Sequence, residues 1–539
     1  MSFDRNEISA KHLKADLVSG FLVFLIALPL CLGIASASKF PPVAGILTAI
    51  VGGILGTVLG SARLTIKGPA AGLIVIVLGA VDELSVPGDP ASGYKRALAV
   101  GVVAGGIQIV LALLRAGTLS DSFPPTVVHG MLAAIGVIIV SKQSHVVLGV
   151  KPVSKEPLAL LAELPHSIAN LNPEIFIIGV VSLAILFGLP KVPVAWVKRV
   201  PAPMVVTVTA ILFERIFVLD QEHTYLWNGQ SYLVGPTQYL VQLPGRLLDA
   251  VTLPDFSAVF SAPSLKYLAM FTLVGSIESL LSAKAVDQLD PQHRQQDLNR
   301  DLLATGVANV AAAGIGGLPM ISEIVRSSAN ITNGAQSRMS NFFHGCFLLL
   351  FVALVPGLLN EVPLAALGAM LIYTGLRLAS PKEFVRTFRI GADQLGVFVT
   401  TLVVTLATDL LLGVAAGIAL EVALQLKRGA PLAHLFRSHT ATHDIEEARV
   451  LRVSRAVMFT NYISLRRKID EMAADCTAVV IDLTEATPVD HTALEKLHRL
   501  RDDWQRNGRT LEIRGLDTHS QSSQHELASR WKPSAADIR

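Results

Sequence analysis

The 539-residue chain is poor in charge: Asp, Glu, Lys and Arg make up 16% of it, against ~25% in soluble proteins. Cysteine is nearly absent. Cys31, Cys346 and Cys476 are scattered without metal-ligand spacing, and two of them lie in apolar runs, where a thiol serves as a small buried hydrophobe. There is no phosphate-binding GxxxxGK[ST] loop and no His/Cys cluster, so neither an ATP-driven motor nor a metalloenzyme is supported, and the chain does not read as an enzyme. His129 and His344 are lone histidines in helical stretches and read as packing or polar satisfaction. A cleavable signal is also missing. Met1–Ala15 is polar and the first apolar run is long, so residues 1–15 read as a retained cytoplasmic N-terminus. The net charge of +3 gives no indication of a nucleic-acid partner.

What the chain does have is hydrophobicity, 51% of residues with a mean hydropathy of +0.53. Repeated apolar runs near 20 residues make it a polytopic α-helical membrane protein. A first span covers 16–37, with Pro29 inside it. Pro41-Pro42 breaks the chain before 43–59, whose glycines at 45, 52, 53, 56 and 60 suit close helix packing. A short segment follows at 69–80. Further spans are expected at 97–114, 126–148, 174–190 and 201–219, and the polar stretch 220–262 reads as an outside loop. The second half runs 265–284, 301–315, 319–331, 340–358, 363–377, 393–408 and 410–426. The transport region therefore covers 16–428, in halves of about 16–219 and 265–428. A linker at 429–445 precedes a charged domain at 446–517. There, Val450–Val453, Ala478–Leu483 and Thr510–Ile513 look like strands. Leu494, Leu497, Leu500 and Trp504 mark one face of a helix, the pattern of a small α/β domain. Residues 518–539 are polar and read as disordered.

The chain is organised around residues 316–334, GGLPMISEIVRSSANITNG. Glycines, a proline, Glu323 and Arg326 interrupt an apolar run, and Pro319 suits the first turn of a new helix starting part-way through the bilayer. Residues 60–72, with Gly68, Pro69, Ala70 and Ala71 ahead of the apolar run 73–78, have the same form. One interrupted segment in each half points to a transporter binding site. A helix N-terminus carries unpaired N–H groups and about half a positive charge, so two such ends at the midplane would hold an anion. Arg326 reads either as the local ion-pair partner of Glu323 or as an anion ligand; Glu323 would in the second case be proton-linked, and Ser322 and Ser327 could donate hydroxyls. Glu278 stands at mid-span, where a carboxylate needs a partner, a proton or a cation. Ser282, four residues on, faces the same way, so the two could hold Na⁺, the one metal role considered for Glu278; burial could instead keep Glu278 protonated, or a neighbouring helix could tie it down.

Basic residues in short loops orient the chain. Arg63 and Lys67, then Lys191, Lys198 and Arg199, then Arg377, Lys382, Arg386 and Arg389 alternate with loops poor in Lys and Arg, which puts both ends in the cytoplasm.

Together these stretches resemble the sulfate permease (SulP-type) anion transporters, which include prestin and cyanobacterial bicarbonate carriers. The anchors are residues 16–20 leading to Ala27-Leu28-Pro29, Lys67-Gly68-Pro69-Ala70, the run 275–281 around Glu278, Asn299-Arg300-Asp301-Leu302, and 316–330. The tail resembles a STAS domain, in Phe459-Thr460-Asn461-Tyr462, VVIDLT at 479–484, and Val489-Asp490-His491-Thr492-Ala493-Leu494. The resemblance implies about fourteen segments in two inverted repeats of seven, a core domain moving against a gate domain, and usually a homodimer. It also implies an anion between the third and tenth segments and an acidic coupling residue at Glu278. Departures are Leu30, where relatives carry a polar residue after the first-span proline, Met320, Ile321 and Glu323 after Pro319, and His491-Thr492-Ala493 in the STAS motif. Thr492 is a conceivable phosphorylation site there, a structural role being preferred. The expectation is a secondary anion transporter of a bacterial inner membrane that carries bicarbonate with Na⁺ or H⁺ through Glu278. Carbonic anhydrase is a conceivable partner, and there is no cofactor unless Na⁺ is one. Sulfate, a C4-dicarboxylate or an uncoupled anion channel are the alternatives.

Overall fold

The computed structural model describes residues 10–60, 62–89, 91–117, 123–154, 156–194, 200–292, 294, 296–445, 448–473, 476, 478–506 and 508–532. Lys198 and Arg199, used to orient the chain, and the last residues of the tail lie outside that set. The chain divides into two compact units, residues 1–117 with 135–378, and residues 118–134 with 379–539.

Seven apolar helices come first: α1 (Ala10–Ala37), α2 (Pro42–Leu59), then strand β1 (Ile66–Pro69) leading into α3 (Ile74–Leu84), α4 (Ser92–Leu113) and α5 (Pro125–Val147), the polar α6 (Pro157–Ala169), then α7 (Pro173–Gly188) and α8 (Ala202–Phe217). The hairpin β2 (His223–Trp227) and β3 (Gln230–Val234) and the single turn α9 (Pro236–Tyr239) form the connecting stretch. The second seven repeat the order: α10 (Ala262–Leu289), α11 (Leu298–Gly314), strand β4 (Met320–Glu323) leading into α12 (Ile324–Thr332), α13 (Met339–Leu354), the short α14 (Pro356–Asn360), α15 (Leu364–Leu378), the amphipathic α16 (Pro381–Ile390), α17 (Ala392–Ala407) and α18 (Leu410–Lys427). Among the described residues, eight helices are long and apolar enough to cross a membrane unaided.

The glycines of α2 work through their lack of a side chain. A Cβ on Gly53 would sit 2.7 Å from the Gly345 Cα of α13, and one on Gly45 would overlap the Cys31 carbonyl of α1. Three helices therefore touch backbone to backbone, which gains dispersion contacts where the hydrophobic effect is weak. Phe24 of α1 adds ring contacts to Phe347 and Phe351 of α13. Pro42 opens α2, and Gly60, at φ +84°, closes it in the left-handed conformation that glycine adopts without strain.

In the second unit, β5 (His439–Ile445), β6 (Ala448–Val457), β7 (Ala478–Asp482), β8 (Ala486–Val489), β9 (Thr510–Arg514), β10 (Ser520–Gln521) and β11 (Arg530–Trp531) form one sheet, in the order β10-β11-β8-β6-β7-β9 with β5 on β6. Helices α19 (Tyr462–Ala473) and α20 (His491–Arg506) belong to the same α/β domain. Leu494, Leu497, Leu500 and Trp504 are buried on α20, the face its periodicity predicts.

Three expectations are corrected here. The sheet begins at His439, inside the stretch read as a linker, and continues past 517. Residues 518–532 are ordered where a disordered tail was expected. Ser529 Oγ accepts the His491 N–H at 3.2 Å, and the Arg428 guanidinium lies 4.7 Å from the Trp531 ring centroid. Pairing of the two-residue strands β10 and β11 onto β8, together with isolated polar and cation–π contacts, holds this tail, and composition does not register either. Finally, no helix starts at Pro319. The chain runs extended through Met320–Glu323, and α12 begins at Ile324.

Candidate anion site at a two-stranded ribbon

β1 and β4 pair antiparallel, with Ile66 opposite Glu323, Lys67 opposite Ser322, Gly68 opposite Ile321 and Pro69 opposite Met320. Extended backbone inside a membrane leaves amides that lipid cannot satisfy, and pairing the two breaks with each other meets part of that need. Side chains meet more of it. Asn309 Oδ1 accepts the Met320 N–H at 2.7 Å, Ser279 Oγ the Ser322 N–H at 3.1 Å and Ser327 Oγ the Ile66 N–H at 2.9 Å. Thr48 Oγ1 accepts the Leu318 N–H at 2.6 Å, and the Tyr94 hydroxyl donates to the Gly316 carbonyl at 2.8 Å.

Alternation along the strands gives the ribbon two faces. Lys67, Pro69, Met320 and Ser322 share one. There Lys67 Nζ lies 3.0 Å from Asp301 Oδ1 with both side chains fully buried, and it donates to Thr305 Oγ1 at 2.6 Å and Ser322 Oγ at 3.0 Å. Ser322 Oγ donates in turn to Asp301 Oδ2 at 3.2 Å. Lys67 therefore does not face the cytoplasm and drops out of the orientation count. Ser322 is committed to this ion pair, while Met320 beside it is fully buried.

The other face carries Gly68, Ile321 and Glu323. Arg326, from the first turn of α12, is 1% exposed. Its Nη1 would clash with a Cβ on Gly68, its Nη2 donates only weakly to the Pro69 carbonyl at 3.4 Å, and Nη1 has no hydrogen-bond partner. No ion pair joins Glu323 to Arg326 among the described residues. The Glu323 carboxylate instead faces the Ala71 backbone N–H, where the chain turns from β1 into α3. Glu278 of α10 rests its carboxylate on Gly72, and its Oε2 is buried without a partner. The cluster thus gathers one guanidinium, two carboxylates and a helix start around two glycines.

Ala70 is buried and Ala71 half-buried beside this cluster. Leu30 packs instead with the apolar group around Ile178 and Met370, and the residue of α1 whose side chain lies beside Arg326 is Cys31. Ser282, one turn after Glu278, is buried. A carboxylate oxygen without a partner and a hydroxyl on the same helix face are hard oxygen donors that fit Na⁺. No group of three His, Cys, Asp or Glu residues assembles among the described residues, so carbonyls would have to complete any such site.

Sequence reasoning missed two groups. Asp301 stood in a recognised stretch without a role, although an acid in the first turn of an apolar helix calls for a partner. His344 of α13 is fully buried with neither ring nitrogen hydrogen-bonded, which leaves packing, of the two readings offered for it, as the one it fits, but as an unsatisfied polar group near Arg326. His129 differs, with its Nδ1 3.4 Å from Glu383 Oε2.

Comparison with known proteins identifies the family and the fold. Residues 13–403 match the model of the sulfate permease family, and residues 439–521 match that of the STAS domain. The chain is 24% identical over 526 residues to the bicarbonate transporter BicA of a Synechocystis strain, covering 95% of this chain and 89% of that one. The transmembrane domain of a cyanobacterial BicA superposes with a TM-score of 0.63 at 24% identity, over 76% of this chain and 98% of that one. The murine anion transporter Slc26a9, in its inward-facing state, superposes with a TM-score of 0.68 at 14% identity, over 95% of this chain and 86% of that one.

Proposed function

Since this chain belongs to the sulfate permease family, and is an integral membrane anion transporter rather than an enzyme, we propose that its cargo is bicarbonate, bound on the Gly68 face of the ribbon and carried by alternating access. One observation carries the reading: the buried Arg326 guanidinium with an unpartnered Nη1 beside Gly68. A buried guanidinium N–H without a hydrogen-bond partner costs about 1–3 kcal/mol, and an anion seated against Gly68, Ala70, Ala71 and Ile321 supplies the missing acceptor. The N–H groups opening α3 add donors.

The charges set the coupling. With Glu278 and Glu323 both ionised, the cluster is net negative and repels an anion. A proton on Glu323 frees the Ala71 N–H and leaves Glu278 to offset Arg326; a Na⁺ between Glu278 and Ser282 does similar electrostatic work. The carrier therefore moves its anion together with H⁺ or Na⁺. The resemblance to BicA over nearly the whole chain supports bicarbonate; sulfate, which the family description and similarly related proteins name, is the second reading. The setting is a bacterial plasma membrane, with both termini in the cytoplasm and the chain acting as a homodimer, within reach of a carbonic anhydrase that supplies or removes bicarbonate.

Uptake of labelled bicarbonate, sulfate and fumarate into proteoliposomes, under separately imposed Na⁺ and pH gradients, tests this. Gradient-driven bicarbonate uptake that Arg326→Gln abolishes is the expected result. Bicarbonate flux equal to that of empty liposomes removes the proposal, and sulfate flux in its place establishes the second reading.

A further inference from the structure

Helix α16 interrupts the apolar series with a different pattern. It follows the apolar helix Leu364–Leu378 in the chain and precedes another, Ala392–Ala407. Its own sequence, PKEFVRTFRI, is strongly amphipathic. Thr387 and Ile390 are buried, and the Phe384 ring packs edge-on against Phe398 of α17 with centroids 4.6 Å apart. The opposite face is exposed and mixed: Lys382, Arg386 and Arg389 alternate with Val385, 51% exposed, and Phe388, 60% exposed.

Pro381, Lys382, Val385, Arg386, Arg389 and His525 line an open groove of about 480 Å³. His525 reaches it from the ordered tail, which is tied to the end of the helix. Ser523 Oγ donates to the Ile390 carbonyl at 2.7 Å and to the Arg389 carbonyl at 3.2 Å, satisfying groups that a helix end leaves open. The cations have little to neutralise them. Arg386 stands 3.9 Å from Glu383, and neither Lys382 nor Arg389 forms an ion pair among the described residues.

We propose that this groove binds the phosphate headgroup of an anionic phospholipid, with Val385 and Phe388 set into the acyl boundary beside it. A basic helix with exposed apolar residues, which follows one membrane helix in the chain and leads into another, lies at the level of the headgroups. Guanidinium groups form paired hydrogen bonds with phosphate oxygens. The apolar neighbours favour a lipid over free phosphate, because a soluble anion offers Phe388 nothing. Through His525 and Ser523, the bound lipid bears directly on the C-terminal domain.

The test uses the full chain in nanodiscs of phosphatidylcholine alone, or of equal parts phosphatidylcholine and phosphatidylglycerol, with retained lipid read by mass spectrometry of the intact protein after transfer to detergent. The wild type is expected to keep phosphatidylglycerol in preference to phosphatidylcholine. The variant with Lys382→Gln, Arg386→Gln and Arg389→Gln should lose that preference by about fivefold per cation, on the order of a hundredfold in all. Should that variant fail to fold, Arg386→Gln alone carries the test with a loss of about fivefold. Equal retention of the two lipids by the wild type overturns the proposal. So does an unchanged preference in the folded variants, or displacement of phosphatidylglycerol by millimolar inorganic phosphate.

Discussion

Lys67 Nζ and Asp301 Oδ1 stand 3.0 Å apart with no exposure on either side chain, so the ribbon is pinned to α11 by an ion pair that water does not reach. Removing one member strands the other charge in a dry site, which costs about 3–5 kcal/mol. Lys67→Met or Asp301→Leu alone should therefore lower the unfolding temperature of the purified protein sharply. The double variant Lys67→Met/Asp301→Leu should recover most of the loss, because no buried charge remains. Thermal unfolding in detergent, read as a double-mutant cycle, checks this. Additive losses in the double variant would mean that the two charges do not depend on each other.

How much of this was legible beforehand depends on the range of each interaction. The breaks at Gly68–Pro69 and Gly316–Pro319 are local, because glycine, proline and charge in an apolar run are visible without a fold. Their pairing is not local. A four-residue strand has too few alternations to register as one, and its partner lies in the other half of the chain, so β4 read as the first turn of a helix. Lys67 was misjudged for the same reason. A cation near a helix end faces water by default, and only the remote Asp301, Thr305 and Ser322 reverse that. In the C-terminal domain, the apolar face of α20 carries a 3.6-residue period and was readable, whereas residues 518–532 are anchored by two-residue strands and single polar contacts, too short to carry a period.

Glu323 separates the proposed anion site from a plain cationic pocket. Its carboxylate faces the same Ala71 N–H that an anion would use. Glu323→Gln removes the competing charge and keeps the shape. Half-saturation for bicarbonate uptake should fall by about tenfold, because a like charge beside an anion costs on the order of 1 kcal/mol or more. The pH dependence of uptake should flatten at the same time. Initial rates in proteoliposomes across a pH series measure both, and unchanged half-saturation with an unchanged pH profile would remove Glu323 from the site.

Two glycines should respond to the same substitution in opposite ways. A Cβ on Gly45 meets backbone, the Cys31 carbonyl, which has nowhere to move while α1 and α2 remain packed. Gly45→Ala should cost about 1–3 kcal/mol as overpacking and lower the yield of folded protein. A Cβ on Gly72 meets only the end of a side chain, the Glu278 carboxylate. Gly72→Ala should leave the unfolding temperature near wild type but shift Glu278 and reduce coupled uptake by at least about tenfold, since a displacement near 1 Å at a site can cost about a hundredfold. Measured together, unfolding and transport distinguish the two; loss of folding in both variants would contradict the contrast.

Asp490 gives the C-terminal domain a pH response of its own. It stands just before α20 and caps it: Oδ2 accepts the Phe459 N–H at 2.7 Å and Oδ1 the Ala493 N–H at 2.6 Å. Burial raises its pKa from 3.8 to about 6, against the pull of those two bonds and of Lys496 and Arg428. The folded chain therefore holds a proton here over a range in which the unfolded chain has released it. The stabilisation this proton brings is complete below about pH 4 and is lost as pH rises through 6. Asp490→Asn cannot ionise, so the fall in unfolding temperature between pH 4 and pH 6.5 should be shallower than in the wild type, even though one of the two accepted bonds is lost to an amide NH₂ that cannot accept. The neighbouring Thr492 is fully buried, with an unpartnered hydroxyl. Thr492→Val should be neutral to within about 1 kcal/mol, whereas Thr492→Asp should unfold the domain by burying a charge beside Asp490. Thermal scans of the full chain at stepped pH read all three variants, and a Thr492→Asp variant as stable as the wild type would show that this helix end opens to solvent.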